Sequence, residues 1–150
     1  MNTITINNRI IGPGHPTYMV AEMSANHNQN FDQAVAIIKA AKEAGADAVK
    51  LQTYTPDTLT INCHKVASFE SVDLPLLRRI GQTAKPVIMS TGMATLAEID
   101  EAVQTLRKSG TKELVLLKCT SAYPSPPEAM NLRTIPHLAA AFDVVAGLSV

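Results

Sequence analysis

The alternation of short apolar runs with amphipathic helical segments constrains this chain more than any other sequence feature. In the first unit, an apolar run over Tyr18–Met23 precedes a helical stripe over Phe31–Ala44 and a second run over Asp47–Tyr54. Asn30 is suited to cap that helix and Gly45 to end it. Such strand–helix–strand units cross over right-handed into parallel sheets. The pattern therefore predicts an α/β fold.

The same alternation continues along the chain, so that six strands and four strand–helix–strand crossovers are predicted. Thr95 and Glu98 are spaced as a capping box in front of one of the later helices. No low-complexity linker interrupts the series, which argues for one domain. The strands and helices predicted after the first unit are Lys65–Phe69, Asp73–Thr83, Pro86–Ser90, Leu96–Ser109, Glu113–Cys119, Leu132–Phe142 and Val144–Ser149.

Two breaks in this rhythm predict a partial TIM-type (β/α) barrel with about six of the eight strands. The chain has 150 residues, whereas a closed barrel of this type usually takes roughly 250. The stretch between Tyr54 and Lys65 is ten residues long without a helical stripe, and a parallel crossover needs about a dozen or more. The sequence also stops at Val150, in or just past a strand. Both breaks indicate missing parts.

Charge, cysteine usage and hydropathy exclude several classes of function. The chain has 13 Lys and Arg against 13 Asp and Glu, so neither nucleic acid nor a membrane surface is an expected partner. No signal peptide and no membrane-spanning run is visible in the sequence. Cys63 and Cys119 are isolated thiols, which favours a reducing, cytoplasmic location.

Polar residues mark the carboxyl ends of the predicted strands, where βα barrels hold their active sites. Lys50 shares one strand face with Gln52 and Tyr54, which predicts an inward lysine that needs an anion such as a phosphate or carboxylate. An equal alternative is that Lys50 pairs with a neighbouring glutamate or extends its amine to solvent, and any single serine could be a turn residue. The polar strand-end residues are Glu22, Asn26, His27, Lys50, Gln52, Tyr54, Lys65, Ser68, Glu70, Ser90, Thr91, Lys118, Thr120, Ser121, Tyr123 and Ser149.

Six segments, in this order, resemble the sialic acid synthase family, whose members condense phosphoenolpyruvate with an N-acylated amino sugar. They are AEMSANHN (21–28), ADAVKLQTYTPDTLT (46–60), KVASFE (65–70), KPVIMSTGMATLAEI (85–99), LLKCTSAYPSPPEAMNLRTIPHL (116–138) and GLS (147–149). Within the family, SANH, QTYTPDTLT and KCTSAYPSP are most similar to the pseudaminic acid synthase branch, whose sugar is 2,4-diacetamido-2,4,6-trideoxy-altrose. The N-acetylneuraminate and legionaminate synthases are the alternative branches.

The resemblance implies a transferase that releases phosphate, with roles for residues at matching positions. It gives Glu22 a proton-handling role near the condensing carbons, with Glu70 as a companion, and it places Gln52 and Tyr123 against the sugar. It also implies a divalent metal, manganese or magnesium, that polarises the sugar aldehyde as a Lewis acid. The positions implied to hold phosphoenolpyruvate are Lys50, Lys65, Ser68, Ser90, Ser121 and Ser149.

Departures from the family pattern imply a shortened enzyme. In the family a long stretch separates TPDTLT from KVASFE, so a deletion between His64 and Lys65 is expected. The resemblance further implies a homodimer, a complete barrel, a following antifreeze-like domain and two metal-binding histidines. The last barrel strand, the domain and the histidines have no counterpart in this sequence, so no metal ligand is assigned.

The shortened sequence leaves three hypotheses. The first is a phosphoenolpyruvate-condensing synthase present as a fragment, with turnover near background and with oligomers, aggregation or rescue by a partner chain. The second is an inactive remnant of such a synthase that binds little or nothing. The third is an aldolase or isomerase on a similar frame that uses Lys50 or Lys118 as a Schiff-base amine.

Overall fold

A computed structural model describes residues 3–51, 73–120 and 124–149, and the chain divides into two compact units. One unit comprises residues 17–64, and the other comprises residues 1–16 together with 65–150. Strands and helices alternate through both, so the predicted α/β class is confirmed. The described strands are β1 (Ile4–Ile6), β2 (Arg9–Ile11), β3 (Val20–Glu22), β4 (Ala48–Lys50), β5 (Val87–Ser90), β6 (Leu114–Cys119) and β7 (Val145–Ser149). The α-helices are α1 (Phe31–Glu43), α2 (Leu74–Gly81), α3 (Leu96–Ser109) and α4 (Thr134–Phe142), and a short 3₁₀ helix spans Pro127–Ala129.

In the unit of residues 17–64, the described residues 17–51 form one parallel β3–α1–β4 crossover. Asn30 caps α1, as predicted, because its side chain accepts a hydrogen bond from the backbone N–H of Gln33 at 3.0 Å. Gly45, with φ of +89°, follows the end of the helix. However, no residue of α1 is buried, and Phe31 at the start of the predicted stripe is 80% exposed. The sequence pattern therefore predicts the helix correctly, but the apolar stripe on which the prediction rests is not buried.

The second unit is built on a parallel three-stranded sheet in the order β5–β6–β7. Alternate strand residues, such as Val87 and Met89, join side chains of α2, α3 and α4 in one core, so the helices cover a single face of the sheet. The buried members of this core are Leu77, Val87, Met89, Ile99, Ala102, Val103, Leu106, Leu114, Leu116, Leu138, Phe142 and Val144.

The opposite face of this sheet packs against an N-terminal hairpin that was not predicted. Strands β1 and β2 are antiparallel, and Asn7 and Asn8 between them have φ of 48° and 64°, which suits a tight two-residue turn. Ile4 of the hairpin is buried with Val115 and Val145. The signal was present as two short β-branched runs around an Asn-Asn pair.

The described strands form sheets of two, two and three strands, and within those ranges no closed barrel is formed. The partial barrel therefore stays a prediction. The predicted strand Lys65–Phe69 lies outside the described residues, as do residues 52–54 of the predicted second strand. In the ranges that are described, none of the helices combines the length and apolar character needed to cross a membrane.

Candidate functional site

Four of the candidate residues lie in the described part of the chain, and each is the last residue of a parallel strand. Glu22 ends β3, Lys50 ends β4, Ser90 ends β5 and Ser149 ends β7. The two acid–base side chains belong to the unit of residues 17–64, and the two serines belong to the other unit. The remaining candidates lie outside the described residues: Gln52, Lys65, Ser68, Glu70, Ser121 and Tyr123.

Glu22 and Lys50 form an ion pair at the carboxyl ends of neighbouring strands. They are directly opposite in the parallel register, and Lys50 Nζ donates to Glu22 Oε2 at 3.1 Å. The Lys50 side chain is 52% exposed and the Glu22 side chain 35%. The expectation of a buried lysine is therefore wrong for Lys50. Pairing with a glutamate, which was the equal alternative, is what the structure contains, because the register of β3 and β4 brings the two side chains together.

The ion pair between Glu22 and Lys50 can rearrange at small cost. An ammonium group has three N–H donors, and Glu22 takes one of those of Lys50. Exposed ion pairs contribute only about 0–1 kcal/mol, so little free energy opposes a rearrangement. Lys50 is therefore able to turn from Glu22 to a phosphate or carboxylate.

Backbone and side-chain hydrogen bonds hold both ends of the β3–β4 pair. At the carboxyl end, the N–H of Met23 donates to the carbonyl of Lys50 at 3.1 Å. At the opposite end, Met19 and Asp47 are joined twice, by Met19 N–H to Asp47 Oδ2 at 2.8 Å and by Asp47 N–H to Met19 O at 2.8 Å. These bonds set the register that places Glu22 opposite Lys50.

Ser90 and Ser149 lie on the same face of the three-stranded sheet, away from the helices. Ser90 is paired with Leu117 and Ser149 with Cys119, so both serines flank the end of β6 with Ser149 two residues further along. Because side chains alternate along a strand, Ser90 is on the face opposite Met89, which is buried against the helices. The exposed Ser90 hydroxyl and the half-buried Ser149 hydroxyl can each donate to an oxygen of an anion.

Two further residues lie at this strand end, Cys119 and Thr91, and no role was predicted for either. Cys119 is a free thiol on the same sheet face as the two serines. Thr91 follows Ser90 and is buried, with 4% of its surface exposed. Its hydroxyl donates to the carbonyl of Leu117 at 3.0 Å. This bond could not be predicted, because nothing in the sequence indicates which group the hydroxyl of a threonine after a strand will bond.

The turn after Ser90 leads into the predicted capping box, which is confirmed. The side chain of Thr95 accepts from the backbone N–H of Glu98 at 3.3 Å, and Glu98 Oε2 in return accepts from the backbone N–H of Thr95 at 2.7 Å and from its hydroxyl at 2.8 Å. These hydrogen bonds, the backbone one first, stabilise the carboxylate and hold the pKa of Glu98 below its ordinary value of 4.5. The start of α3 is therefore well defined next to Ser90.

Lys118 has its amine close to its own strand end. Its Nζ donates to the carbonyl of Cys119 and, at 3.2 Å, to the hydroxyl of Thr120. It shares its strand face with Leu116, which is buried against the helices, whereas Ser90 and Ser149 are on the other face. This placement does not favour a Schiff-base role for Lys118.

The described residues do not fit the divalent metal that the resemblance implies. Over ranges 3–51, 73–120 and 124–149, no three His, Cys, Asp or Glu side chains come together as a metal-binding group. His27, in the loop after β3, has a buried Nδ1 without a hydrogen-bond partner but belongs to no such group. No step of the chemistry is therefore assigned to a metal held by these residues.

Known proteins resemble this chain in sequence and fold. A sequence profile described as the NeuB family matches residues 37–63 and 57–150. Pseudaminic acid synthase of Helicobacter pylori is 33% identical over 199 aligned residues, covering 89% of this chain and 58% of that protein. The chain spans between 57% and 59% of the length of the first curated relatives it matches.

Two crystal structures have the same fold. The spore coat polysaccharide biosynthesis protein SpsE of Bacillus subtilis matches with a TM-score of 0.89 at 29% identity, covering 98% of this chain and 56% of that chain. The N-acetylneuraminic acid synthetase of Leptospira borgpetersenii, in complex with citrate, matches with a TM-score of 0.80 at 24% identity, covering 98% of this chain and 69% of that chain. The second likeness is to the fold alone.

Proposed function

This chain belongs to the NeuB family, and on that premise we propose that it is a shortened nonulosonic acid synthase whose strand ends bind phosphoenolpyruvate for condensation with an N-acylated amino sugar. One observation carries the proposal. Every described residue that the family resemblance assigns to substrate or proton handling is the last residue of a parallel strand: Glu22, Lys50, Ser90 and Ser149. Strand carboxyl ends are where βα enzymes hold their substrates.

In the proposed reaction, carbon 3 of phosphoenolpyruvate attacks the open-chain aldehyde of the sugar, and a new C–C bond forms. Water adds at carbon 2 of phosphoenolpyruvate, and phosphate leaves by C–O cleavage. Lys50, Ser90 and Ser149 donate hydrogen bonds to the anionic oxygens and hold the molecule in place. Glu22, a carboxylate beside Lys50, accepts or returns a proton at the condensing carbons.

The remaining assigned residues complete the proposal. Lys65, Ser68 and Ser121 join the phosphoenolpyruvate contacts. Gln52 and Tyr123 contact the sugar, and Glu70 is the companion of Glu22. The sugar of the proposal is 2,4-diacetamido-2,4,6-trideoxy-altrose, which makes the product pseudaminic acid, and the named similarity to a pseudaminic acid synthase supports that choice. Assembly as a homodimer and a cytoplasmic location belong to the same proposal.

We further propose that an internal segment is missing between His64 and Lys65, in an incomplete (β/α) barrel. Two features of the comparisons support this. The family profile matches in two pieces that overlap at residues 57–63, and alignments to relatives run over as many as 212 positions, more than the 150 residues of the chain. A lost βα unit removes part of the substrate site, so turnover is expected near background.

The test is synthesis itself. The purified chain is incubated with phosphoenolpyruvate, manganese and, in separate reactions, 2,4-diacetamido-2,4,6-trideoxy-altrose, the legionaminate precursor sugar or N-acetylmannosamine, and phosphate release and products are measured. If product forms above background, we expect it to form fastest with the altrose derivative. Robust synthesis by this chain alone would contradict the expectation that the missing segment removes part of the substrate site, whereas robust product from another sugar alone would contradict the sugar assignment.

Borohydride trapping separates this proposal from a Schiff-base enzyme. A carbonyl substrate bound to a lysine amine is reduced to a stable covalent adduct. We expect no labelling of Lys50 or Lys118 when the chain is treated with borohydride and pyruvate or the sugar aldehydes. A lysine adduct found by mass spectrometry would replace the synthase proposal with an aldolase-type one.

A further inference from the structure

Two polar side chains are buried in the described part of the chain, Thr91 and Thr111, with 4% and 5% of their surface exposed. They lie at opposite ends of the three-stranded sheet. Thr111 precedes β6, and its hydroxyl is buried without a partner. Thr91 follows β5 directly after Ser90, and its hydroxyl is bonded. A buried hydroxyl with a partner holds its neighbours in place, whereas one without a partner is a cost.

The carbonyl of Leu117 accepts two hydrogen bonds from Thr91. The backbone N–H of Thr91 donates at 3.0 Å, and its hydroxyl donates at 3.0 Å. Leu117 is the residue paired with Ser90 in the sheet register. The end of β5 is thus attached to β6 one residue beyond its last paired residue, at the residue that lies opposite Ser90.

The same threonine also begins the turn that leads away from the site. The backbone N–H of Ala94 donates to the carbonyl of Thr91 at 3.0 Å. Between them Gly92 has φ of +51°, a backbone conformation that a residue with a side chain adopts less readily. Thr91 is therefore held on one side by β6 and on the other by the turn, and Ser90 is held between Thr91 and the core residue Met89.

We propose that Thr91 is a positioning residue for Ser90: its hydroxyl fixes the end of β5 against β6, so that the Ser90 hydroxyl is aimed at the anion. This inference rests on the proposed function, because it takes Ser90 as a contact to phosphoenolpyruvate. Thr91 is buried and its hydroxyl donates to the carbonyl of Leu117, so it is not itself taken as a contact to the anion. Its effect on binding passes through the backbone.

Three variants separate positioning from simple packing. Thr91→Val keeps the shape and removes the hydroxyl, Thr91→Ser keeps the hydroxyl, and Thr111→Val is the matched control because it removes a buried hydroxyl without a partner. Amide hydrogen exchange is measured by NMR at residue 91, at Ala94 and at Val87, whose N–H donates to Glu113 O at 2.9 Å at the far end of β5. A general loss of stability accelerates all three amides together.

In Thr91→Val we expect exchange at residue 91 and Ala94 to accelerate roughly tenfold more than at Val87, the effect of about one hydrogen bond. Thr91→Ser and Thr111→Val are expected to show no such local difference. Equal acceleration at all three amides would overturn the inference, and this readout needs no ligand.

Calorimetric titration with phosphoenolpyruvate supplies the second readout. We expect Thr91→Val to bind about tenfold more weakly, Thr91→Ser to restore the affinity, and the Thr91→Val change to have no further effect in a Ser90→Ala background. Wild-type affinity in Thr91→Val, with binding by the wild type established, would overturn the inference. Failure of the wild type itself to bind would count against the proposed function. The exchange rates alone would then test whether the Thr91 hydroxyl fixes the end of β5 against β6.

Discussion

The crossovers β3–α1–β4 and β5–α3–β6 have the same sequence pattern but different burial. Both helices are of similar length, 13 and 14 residues, and both begin with a side-chain cap. Helix α3 buries Ile99, Ala102, Val103 and Leu106, whereas α1 buries none of its residues. Pattern and capping thus specify a helix, and burial depends on what the rest of the chain supplies around it.

The two crossovers also present different chemistry at their strand ends. The first ends in an exposed ion pair, Glu22 with Lys50, that can rearrange for little free energy. The second ends in Ser90, which sits beside a buried and doubly bonded Thr91. In the proposed function, the charged groups adapt to a ligand, whereas the hydroxyl is fixed before the ligand arrives.

The largest expected contrast is in the cores of the two helices. Leu106 of α3 is fully buried, whereas Ile38 of α1 is 39% exposed. Leu106→Ala should lower the free energy of unfolding by about 2–5 kcal/mol, and Ile38→Ala by less than about 1 kcal/mol because its side chain is already partly in water. Urea unfolding followed by circular dichroism measures both. Equal losses would remove the basis of the comparison.

The second prediction compares a tightly packed position between α2 and α3 with the exposed position that follows it. A Cβ on Gly81 would lie 2.6 Å from Ser109 Cβ and 2.9 Å from the carbonyl oxygen of Leu106. Gly81→Ala should therefore destabilise the chain by about 1–3 kcal/mol despite the better helix propensity of alanine. Gln82→Ala, at the exposed neighbouring position, is the matched control in the same unfolding experiment. A more stable Gly81→Ala variant would show that the two helices are free to separate.

Loss of the helix cap should destabilise both crossovers by similar amounts. Burial would then be the property in which the two helices differ. Thr95 caps α3 and Asn30 caps α1. Thr95→Ala and Asn30→Ala are each expected to cost about 1 kcal/mol, measured by urea unfolding. Ser substitutions at the same positions, which keep a capping oxygen, should restore most of the loss. A cap effect in α3 several times that in α1 would mean that capping, too, depends on the surroundings.

The pH dependence of stability reports on the same capping box. The pKa of Glu98 is held below 4.5 in the folded chain by its hydrogen bonds to Thr95. A lowered folded-state pKa contributes stability that is present above the unfolded pKa and is lost as pH falls through the folded pKa. The stability difference between the wild type and Glu98→Gln should therefore shrink as pH is lowered from 6 to about 3. A difference that stays constant with pH would contradict the assignment to the carboxylate.

The smallest expected effect on stability is that of the ion pair. Lys50→Met removes an exposed partner of Glu22 and should change the free energy of unfolding by no more than about 1 kcal/mol. Lys39→Met, at an exposed position of α1, provides the control in the same urea titration. A loss of several kcal/mol would mean that Lys50 is a structural residue.

Local sequence signals predicted most of the elements. Both helix caps, the α/β class and the strand ends at Ser90, Cys119 and Ser149 agree with the structure. The hairpin of β1 and β2 was missed because its strands are only three residues long. The exposure of Lys50 and its pairing with Glu22 agree with one of two equal alternatives; the alternation of its own strand could not decide between them, because burial depends on which side chains surround the strand end.

The sequence was enough to predict which residues lie at the strand ends of the candidate site, but not which groups those residues contact. The sequence indicated Glu22, Lys50, Ser90 and Ser149 from their places after apolar runs and from the family resemblance. It could not indicate the hydrogen bond between Thr91 and Leu117, because the two residues are 26 positions apart and the bond follows from the sheet register. The roles of all these residues are open to test.

Calorimetric titration of the purified chain with phosphoenolpyruvate, with and without manganese, tests the central claim most directly. The titration compares the wild type with Lys50→Met, Ser90→Ala and the control Lys39→Met. We predict that the wild type and Lys39→Met bind, and that affinity falls at least tenfold in Lys50→Met because a charge-assisted hydrogen bond to the anion is lost. A folded wild type that takes up no phosphoenolpyruvate, or equal binding by Lys50→Met, would contradict the claim that Lys50, at the end of its strand, binds the anion.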